Sequence, residues 1–548
     1  MSNASLSHSW SPPTRSFLPL ILIRGFGGLD VSEEKKSTYQ GFNDGSVYPQ
    51  KQGENYIYEG LILRFLKSNW KYQDATNVVG YYGKEIQQQR DNLCPELQPL
   101  DRLGFFSGSK VVIDPAMALR LIQSNDDPSK TLWVFRYYDL DDRAFKTYGQ
   151  ALVRLIDFIR TLIQIKTPIV DPKVNKVNII AHSMGGLIVR EAIQSAYQSQ
   201  DRVGKATADE SINKIVTLGT PHQGISFQVL GQLRWLNLSA EDELKRFDPN
   251  WQDEKYEHNP LSYKHFGNHF PLERLLTVVG TNYRTYNIGA ATVLNRLFSV
   301  SGEYGPNYNR SDGLVKQAYA QIPGAPRTFV NKCHGGFDSL ITARESFEVA
   351  TRFFFGDVRV RLRLVHAKIK SGRDIFGKSE FFLGVSIKPR SVDFELFHQS
   401  KEAENCYGPF RELDLSDRED TVAFPWAGKN RLIWEGFLLR NPEKDDLVMR
   451  LEIYVGERDF FGMGFSDNLI VHEDYFVRAV LSQSGVKLYL YPDQQLAAES
   501  ETEMTNVDGG FQFSVNEKSF DGTFVVEFDN IPDIGQPKPF TSGGLAGG

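Results

Sequence analysis

The sequence predicts an α/β domain built on a mostly parallel sheet with long inserts, followed by an antiparallel β-sandwich. Two observations carry this. Over the first two-thirds of the chain, short apolar runs alternate with segments of helical periodicity, the signature of strands joined by crossover helices. From about Gly356 onward the period changes to two, with turn residues between short runs, as in a sandwich. A length of 548 residues fits two domains better than one core.

In order, "PLILIRGFGG" (19–28) reads as a buried strand ending in a glycine turn, and "TLWVFRYYD" (131–139) as a second strand. "YGQALVRLIDFIRTLIQI" (148–165) has the apolar spacing of a helix. "KVNIIAHS" (176–183) is the next strand, with a helix expected from about Gly185. "INKIVTLGTPHQG" (212–224), "ERLLTVVGT" (273–281) and "RTFVNKCHGG" (327–336) complete the strands, and "RESFEVATRFFF" (344–355) reads as a closing helix. The expected domains are 17–356, 357–530 and a Gly- and Pro-rich tail, 531–548. Inserts at about 30–130 and 225–271 exceed ordinary connections. Both follow the C-terminal ends of strands, where open α/β sheets place ligand sites.

The apolar fraction of 41% and charged fraction of 24% are those of a soluble globular protein. A net charge of −6 argues against a nucleic-acid partner, which would want a basic face. Three cysteines, Cys94, Cys333 and Cys406, are too few for a disulfide framework and favour a reducing compartment. No transmembrane run or signal peptide is recognised, so a cytoplasmic location is expected, without excluding export lacking a recognisable signal.

"AHSMG" (181–185) falls between a strand and a helix, the context of a nucleophile elbow, with alanine in place of the usual first glycine. A serine there needs a neighbouring imidazole oriented by a carboxylate. The Met184 N–H, at a helix N-terminus, suits an oxyanion. A second donor is expected from the "RGFGG" turn, at the Phe26 N–H. The competing reading, a glycine turn for a dinucleotide, lacks both G-x-G-x-x-G and a phosphate-loop lysine.

These residues resemble the α/β-hydrolase superfamily, in its lipase and esterase branch, over roughly 17–356. "LGTPHQG" (218–224) is similar to the strand end after the nucleophile helix in many lipases and lipase-like deacylases. "SDGLV" (311–315) resembles the acid-bearing loop, and "KCHGG" (332–336) offers the base. The resemblance implies Ser183 as nucleophile, Asp312 as acid and His334 as base, in the chain order that this superfamily uses. It departs where Arg24-Gly25 replaces the frequent His-Gly. His182 and His222 compete with His334, and Asp338 with Asp312; Cys333 is an alternative nucleophile. Because His182 adjoins Ser183, its side chain is expected to point away and to be packed or hydrogen-bonded; His222 is expected to be structural or at the pocket wall.

The resemblance implies hydrolysis of carboxylic esters, as a lipase or lipid deacylase, with no cofactor. Phospholipase or thioesterase activity with the same triad, and a non-catalytic binding protein on this fold, are the alternatives. The 225–271 insert, with Trp235 among aliphatic residues, reads equally as a lid over an acyl pocket or as the buried face of a cap helix.

The second domain resembles the calcium- and phospholipid-binding β-sandwich module named from protein kinase C. "SGRDIFGKSEFF" (371–382), "RLIWEGFLL" (431–439) and "RLEIYVGERDFFGMGFSDNLIV" (450–471) carry the likeness. The positions matching its calcium-binding carboxylates are Asp374, Glu380, Glu457, Asp459 and Asp467. Glu380 replaces an aspartate, and the third loop lacks a paired Asp-x-Asp. Solvated turns are the alternative to calcium ligands at these positions; a lipid- or partner-docking β-sandwich is expected, with a purely structural module as the alternative.

Overall fold

The computed structural model describes residues 17–25, 58–75, 79–80, 93–106, 112–113, 115–135, 137, 144–166, 175–224, 244–248, 251, 259–283, 311–336, 338–369, 380–390, 392–400, 405–410, 431–440, 446–458, 469–482, 485–492 and 501–531. They fall into two compact units. One comprises Phe17–Leu66 and Tyr72–Ala350; the other begins at Thr351 and includes Lys67–Lys71. The sequence pattern changes at Gly356, a few residues past this division.

The first unit is an α/β-hydrolase fold around a parallel sheet. Its strands are β1 (Leu20–Ile23), β2 (Gln73–Asp74), β3 (Thr131–Phe135), β4 (Val177–His182), β5 (Ile212–Leu218), β6 (Leu275–Gly280) and β7 (Arg327–Val330). They lie in the order β2-β3-β1-β4-β5-β6-β7, every neighbouring pair parallel. Strands β1, β3 and β4 are buried at every position, the reason that they read as continuous apolar runs rather than alternating ones. Chain order reverses direction across the sheet between β1 and β4, the position at which open α/β sheets place their ligand sites, outside the C-terminal strand ends.

Four helices matter for the site: α1 (Glu59–Lys67), α2 (Phe145–Lys166), α3 (Met184–Gln194) and α4 (Arg344–Phe355). Helix α2 starts three residues before the expected Tyr148 and buries Leu152, Leu155, Ile156, Phe158, Ile159 and Leu162 along one stripe. Phe158 meets Phe105 and Trp133 edge-on, with centroids 5.4 and 6.0 Å apart. Helix α3 is buried at every residue, so the element following Ser183 is fixed from all sides.

The second unit is an antiparallel β-sandwich. One sheet has five strands and the other seven. Strand β8 (Val358–Ile369) sets the pattern. Val358, Val360, Leu362 and Leu364 are buried, while Arg359, Arg361 and Arg363 form ion pairs with Glu435, Glu527 and Asp529 on the flanking strands. This period-two division follows from the pleat. The two sheets meet where Tyr475 packs 5.9 Å from Phe513 and where the Tyr407 hydroxyl donates to the Ile433 carbonyl.

Candidate active site

Ser183 is the single residue joining β4 to α3, with φ 52° and ψ −124°. A side chain in this region costs on the order of 1–3 kcal/mol and persists only where the surroundings impose it. Here the Ser183 N–H donates to the Leu218 carbonyl at 2.9 Å. Its own carbonyl accepts from the Gly186 N–H at 3.0 Å and the Thr220 hydroxyl at 2.9 Å. The turn after β1 presses on the other side: a Cβ on Gly25 would stand 2.8 Å from the Ser183 Cβ. Ala181, the departure from the usual glycine, is fully buried inside β4, opposite Ile23 and Thr217.

His334 and Asp312 arrive from loops separated by 22 residues, and both are buried. His334 Nδ1 lies 2.8 Å from Asp312 Oδ2, and Nε2 lies 2.9 Å from Ser183 Oγ. The backbone joins them as well, since the His334 N–H donates to the Asp312 carbonyl at 2.8 Å. The other carboxylate oxygen, Oδ1, accepts the Leu314 and Val315 N–H groups at 3.0 and 2.7 Å. An ionised carboxylate only accepts, so the His334 proton sits on Nδ1. Nε2 is then the acceptor for the Ser183 hydroxyl.

The rivals lie elsewhere. Asp338 forms an ion pair with Lys332 at 2.7 Å. The Cys333 thiol donates to the carbonyls of Gly335 and Asp338 at 3.1 and 3.0 Å.

Two glycines make room for Asp312 and His334. Gly219, at φ +56°, follows β5, and a Cβ there would lie 2.9 Å from Asp312 Oδ2 and 3.2 Å from His334 Nδ1. Gly280 ends β6, and a Cβ there would lie 2.7 Å from the Asp312 Cβ. The sequence reading did not single these out as site residues; glycine at two successive strand ends was the available signal.

His182 is hydrogen-bonded, as expected, but it reaches back to the site. Its Nε2 is 2.9 Å from the His334 carbonyl and its Nδ1 is 2.7 Å from the Tyr58 hydroxyl. Burial, and then the neighbouring His334, push its pKa well below the ordinary 6.5 and keep it neutral. His222 is also buried and bonded, through Nε2, to the Thr217 hydroxyl at 2.9 Å. Burial, with the Arg190 charge second, holds it neutral too.

The Met184 N–H occupies the first position of α3, at the positive end of the helix dipole. Phe26, the other expected oxyanion donor, lies outside the described residues. Gly25, immediately before it, is held at both ends of its backbone. Its N–H donates to the Tyr58 hydroxyl at 2.8 Å, and its carbonyl accepts from the Tyr137 hydroxyl at 2.9 Å.

Arg190 anchors the second insert to α3. Its guanidinium donates to the carbonyls of His222 and Leu261 and, at 3.0 Å, to Gln194 Oε1, and it lies 5.0 Å from the Phe247 ring centroid. Burial draws its pKa down to about 9, partly offset by Glu191, which pairs with Arg246 at 3.5 Å. The stretch containing Trp235 lies outside the described residues.

Among the calcium candidates, Glu457 stands opposite Phe381 in register. Asp374, Asp459, Asp467 and the Glu380 side chain lie outside the described residues. Glu452, His472 and Asp474 cluster within metal-ligand reach of one another. They are already engaged, His472 with Glu452 at 2.8 Å and Asp474 with Arg450 at 2.9 Å.

Residues 109–252 match the family model described as a PGAP1-like alpha/beta domain. That family is an esterase/lipase-like α/β-hydrolase family, which supports a hydrolase in general terms. The matched stretch contains Ser183, Met184 and His182; Asp312 and His334 follow it. No curated protein matches the chain. Among the described residues, no helix is long and apolar enough to cross a membrane.

Proposed function

We propose that this chain is a serine hydrolase of carboxylic esters, a lipase or lipid deacylase. The observation that carries the reading is the line of hydrogen bonds from Asp312 through His334 to Ser183 Oγ, at 2.8 and 2.9 Å. In the proposed cycle Ser183 Oγ attacks the ester carbonyl as His334 Nε2 takes its proton. Asp312 keeps the other imidazole proton on Nδ1 and stabilises the imidazolium. The Met184 and Phe26 amides receive the oxyanion; losing one such donor typically costs about 2.7–4 kcal/mol. His334 then returns the proton to the departing alkoxide. Water, activated by the same imidazole, releases the acid from Ser183. This cycle calls on no metal or organic cofactor.

The three cysteines are free, which suits a reducing compartment such as the cytoplasm. For the sandwich unit we propose peripheral lipid contact, tested by calorimetry with calcium and with anionic liposomes.

A fluorophosphonate probe should label wild type at Ser183, located by peptide mass spectrometry, and should not label Ser183→Ala. Wild-type rates of p-nitrophenyl ester hydrolysis by Ser183→Ala would sink the mechanism. A lipid and thioester panel on the unlabelled wild-type protein then separates lipase, phospholipase and thioesterase.

A further inference from the structure

We propose that Tyr58 and His182 are positioning residues: a two-member relay that fixes the turn after β1 to the base loop after β7, across the elbow that presents Ser183. The proposal rests on the serine-hydrolase reading above and adds to it two residues outside the triad.

The direction of every bond in the relay follows from its chemistry. The His334 carbonyl can only accept, so the His182 nitrogen 2.9 Å away carries its proton on Nε2. A neutral imidazole has one proton, so Nδ1 must accept. The group 2.7 Å from Nδ1 is the Tyr58 hydroxyl, which therefore donates its only proton there. The hydroxyl oxygen is left to accept, and the Gly25 N–H supplies the bond at 2.8 Å. Burial supports this protonation pattern by raising the Tyr58 pKa to about 12. The result is a one-way chain, Gly25 N–H to Tyr58, Tyr58 to His182, His182 to the His334 carbonyl, with no alternative tautomer available.

The chain joins parts of the sequence that nothing local holds together. Tyr58 is 33 residues from Gly25, and His182 is 152 residues from His334. Its two ends are the backbone beside the proposed oxyanion donor and the backbone of the proposed base. The fit admits no side chain at Gly25, where a Cβ would stand 2.7 Å from His182 Nδ1. Tyr137, donating to the Gly25 carbonyl at 2.9 Å, holds the same residue by its next peptide group. A relay of this kind holds donor and base at a set spacing before substrate arrives, which is where a hydrolase gains from preorganisation.

The test uses the full chain with p-nitrophenyl butyrate, a fluorophosphonate label and long-range imidazole nitrogen NMR. In wild type the spectrum should assign the Nε2–H tautomer to His182. Tyr58→Phe should lower kcat about tenfold to a hundredfold, with KM within about twofold, and should lower the melting temperature modestly because the Gly25 N–H and His182 Nδ1 lose this partner. It should slow labelling by a similar factor and shift the His182 Nδ1 resonance, which loses its donor, while the His334 carbonyl keeps the proton on Nε2. His182→Gln, which keeps a donor at the position of Nε2, should retain more activity than His182→Ala. Wild-type kcat in a folded Tyr58→Phe, or an Nδ1–H tautomer in wild-type His182, overturns the relay. If Tyr58→Phe does not fold, the wild-type tautomer and the Gln-versus-Ala comparison still decide. If wild type neither labels nor hydrolyses esters, the hydrolase reading fails, and the tautomer spectrum, which needs no activity, decides the relay alone.

Discussion

Gly219 faces Asp312 so closely that a single added methyl group would stand 2.9 Å from the carboxylate oxygen that holds His334. Gly219→Ala therefore combines a backbone penalty at φ +56° with a clash inside the acid–base pair. We expect a stability loss of about 1–3 kcal/mol together with a fall in kcat. Gly204, at φ +80° with nothing within 4 Å of its added Cβ, is the control. Gly204→Ala should lose stability alone, and equal loss of activity in both variants would refute the steric argument.

Asp312→Asn separates geometry from proton placement. The amide oxygen can still accept the Leu314 and Val315 N–H groups, so the loop should keep its shape. Its NH2 would face His334 Nδ1 and force the proton onto Nε2, where it points at Ser183. A kcat loss of about 10⁴-fold with a near-native melting temperature is the expected outcome. A loss below tenfold would remove Asp312 from its assigned role.

His182 and His222 give stability a pH dependence of definite sign. Both are held neutral in the fold with pKa values pushed below 6.5. The unfolded chain takes up a proton on each as pH falls through 6.5, while the folded chain does not. Their contribution is therefore complete above that pH and declines below it, until the depressed folded values are reached. The slope is about 1.4 kcal/mol per pH unit for each group. Urea midpoints measured from pH 8 to pH 5 should fall on the acid side, and His222→Asn should flatten the slope. An unchanged slope in that variant would mean that His222 does not titrate in this way.

Arg190→Leu should destabilise the chain by about 3–5 kcal/mol, because buried carbonyls at His222 and Leu261 lose their donors. Arg190→Lys should rescue little, since an ammonium cannot reproduce the planar fork that meets both. Limited proteolysis should then cut first within 225–262. Cleavage at the wild-type rate in Arg190→Leu would mean that the arginine does not anchor that stretch.

The parallel sheet was legible because strands covered on both faces are written largely as apolar runs, as in "PLILI" and "LWVF". Strand β2 was not, since two polar residues, Gln73 and Asp74, at a sheet edge leave no such run. The grouping of Ser183, Asp312 and His334 in one hydrogen-bonded line was anticipated from their order and from a local turn chemistry that each carries; their roles are the proposal made above. Tyr58 and Tyr137 were silent. Each touches Gly25 only through a hydroxyl, across 33 and 112 residues of chain, and a tyrosine in an unremarkable setting announces nothing. The elbow's alanine also proved uninformative by itself, because the strain resides two residues later, at Ser183.

The helix that presents Ser183 also carries Arg190, two turns further along. One short rod thus joins the reaction centre to the roots of the insert. The Arg190 guanidinium holds the backbone on both sides of the insert, at His222 and at Leu261. A change at either flank that displaced Arg190 would therefore be transmitted along this helix to Ser183.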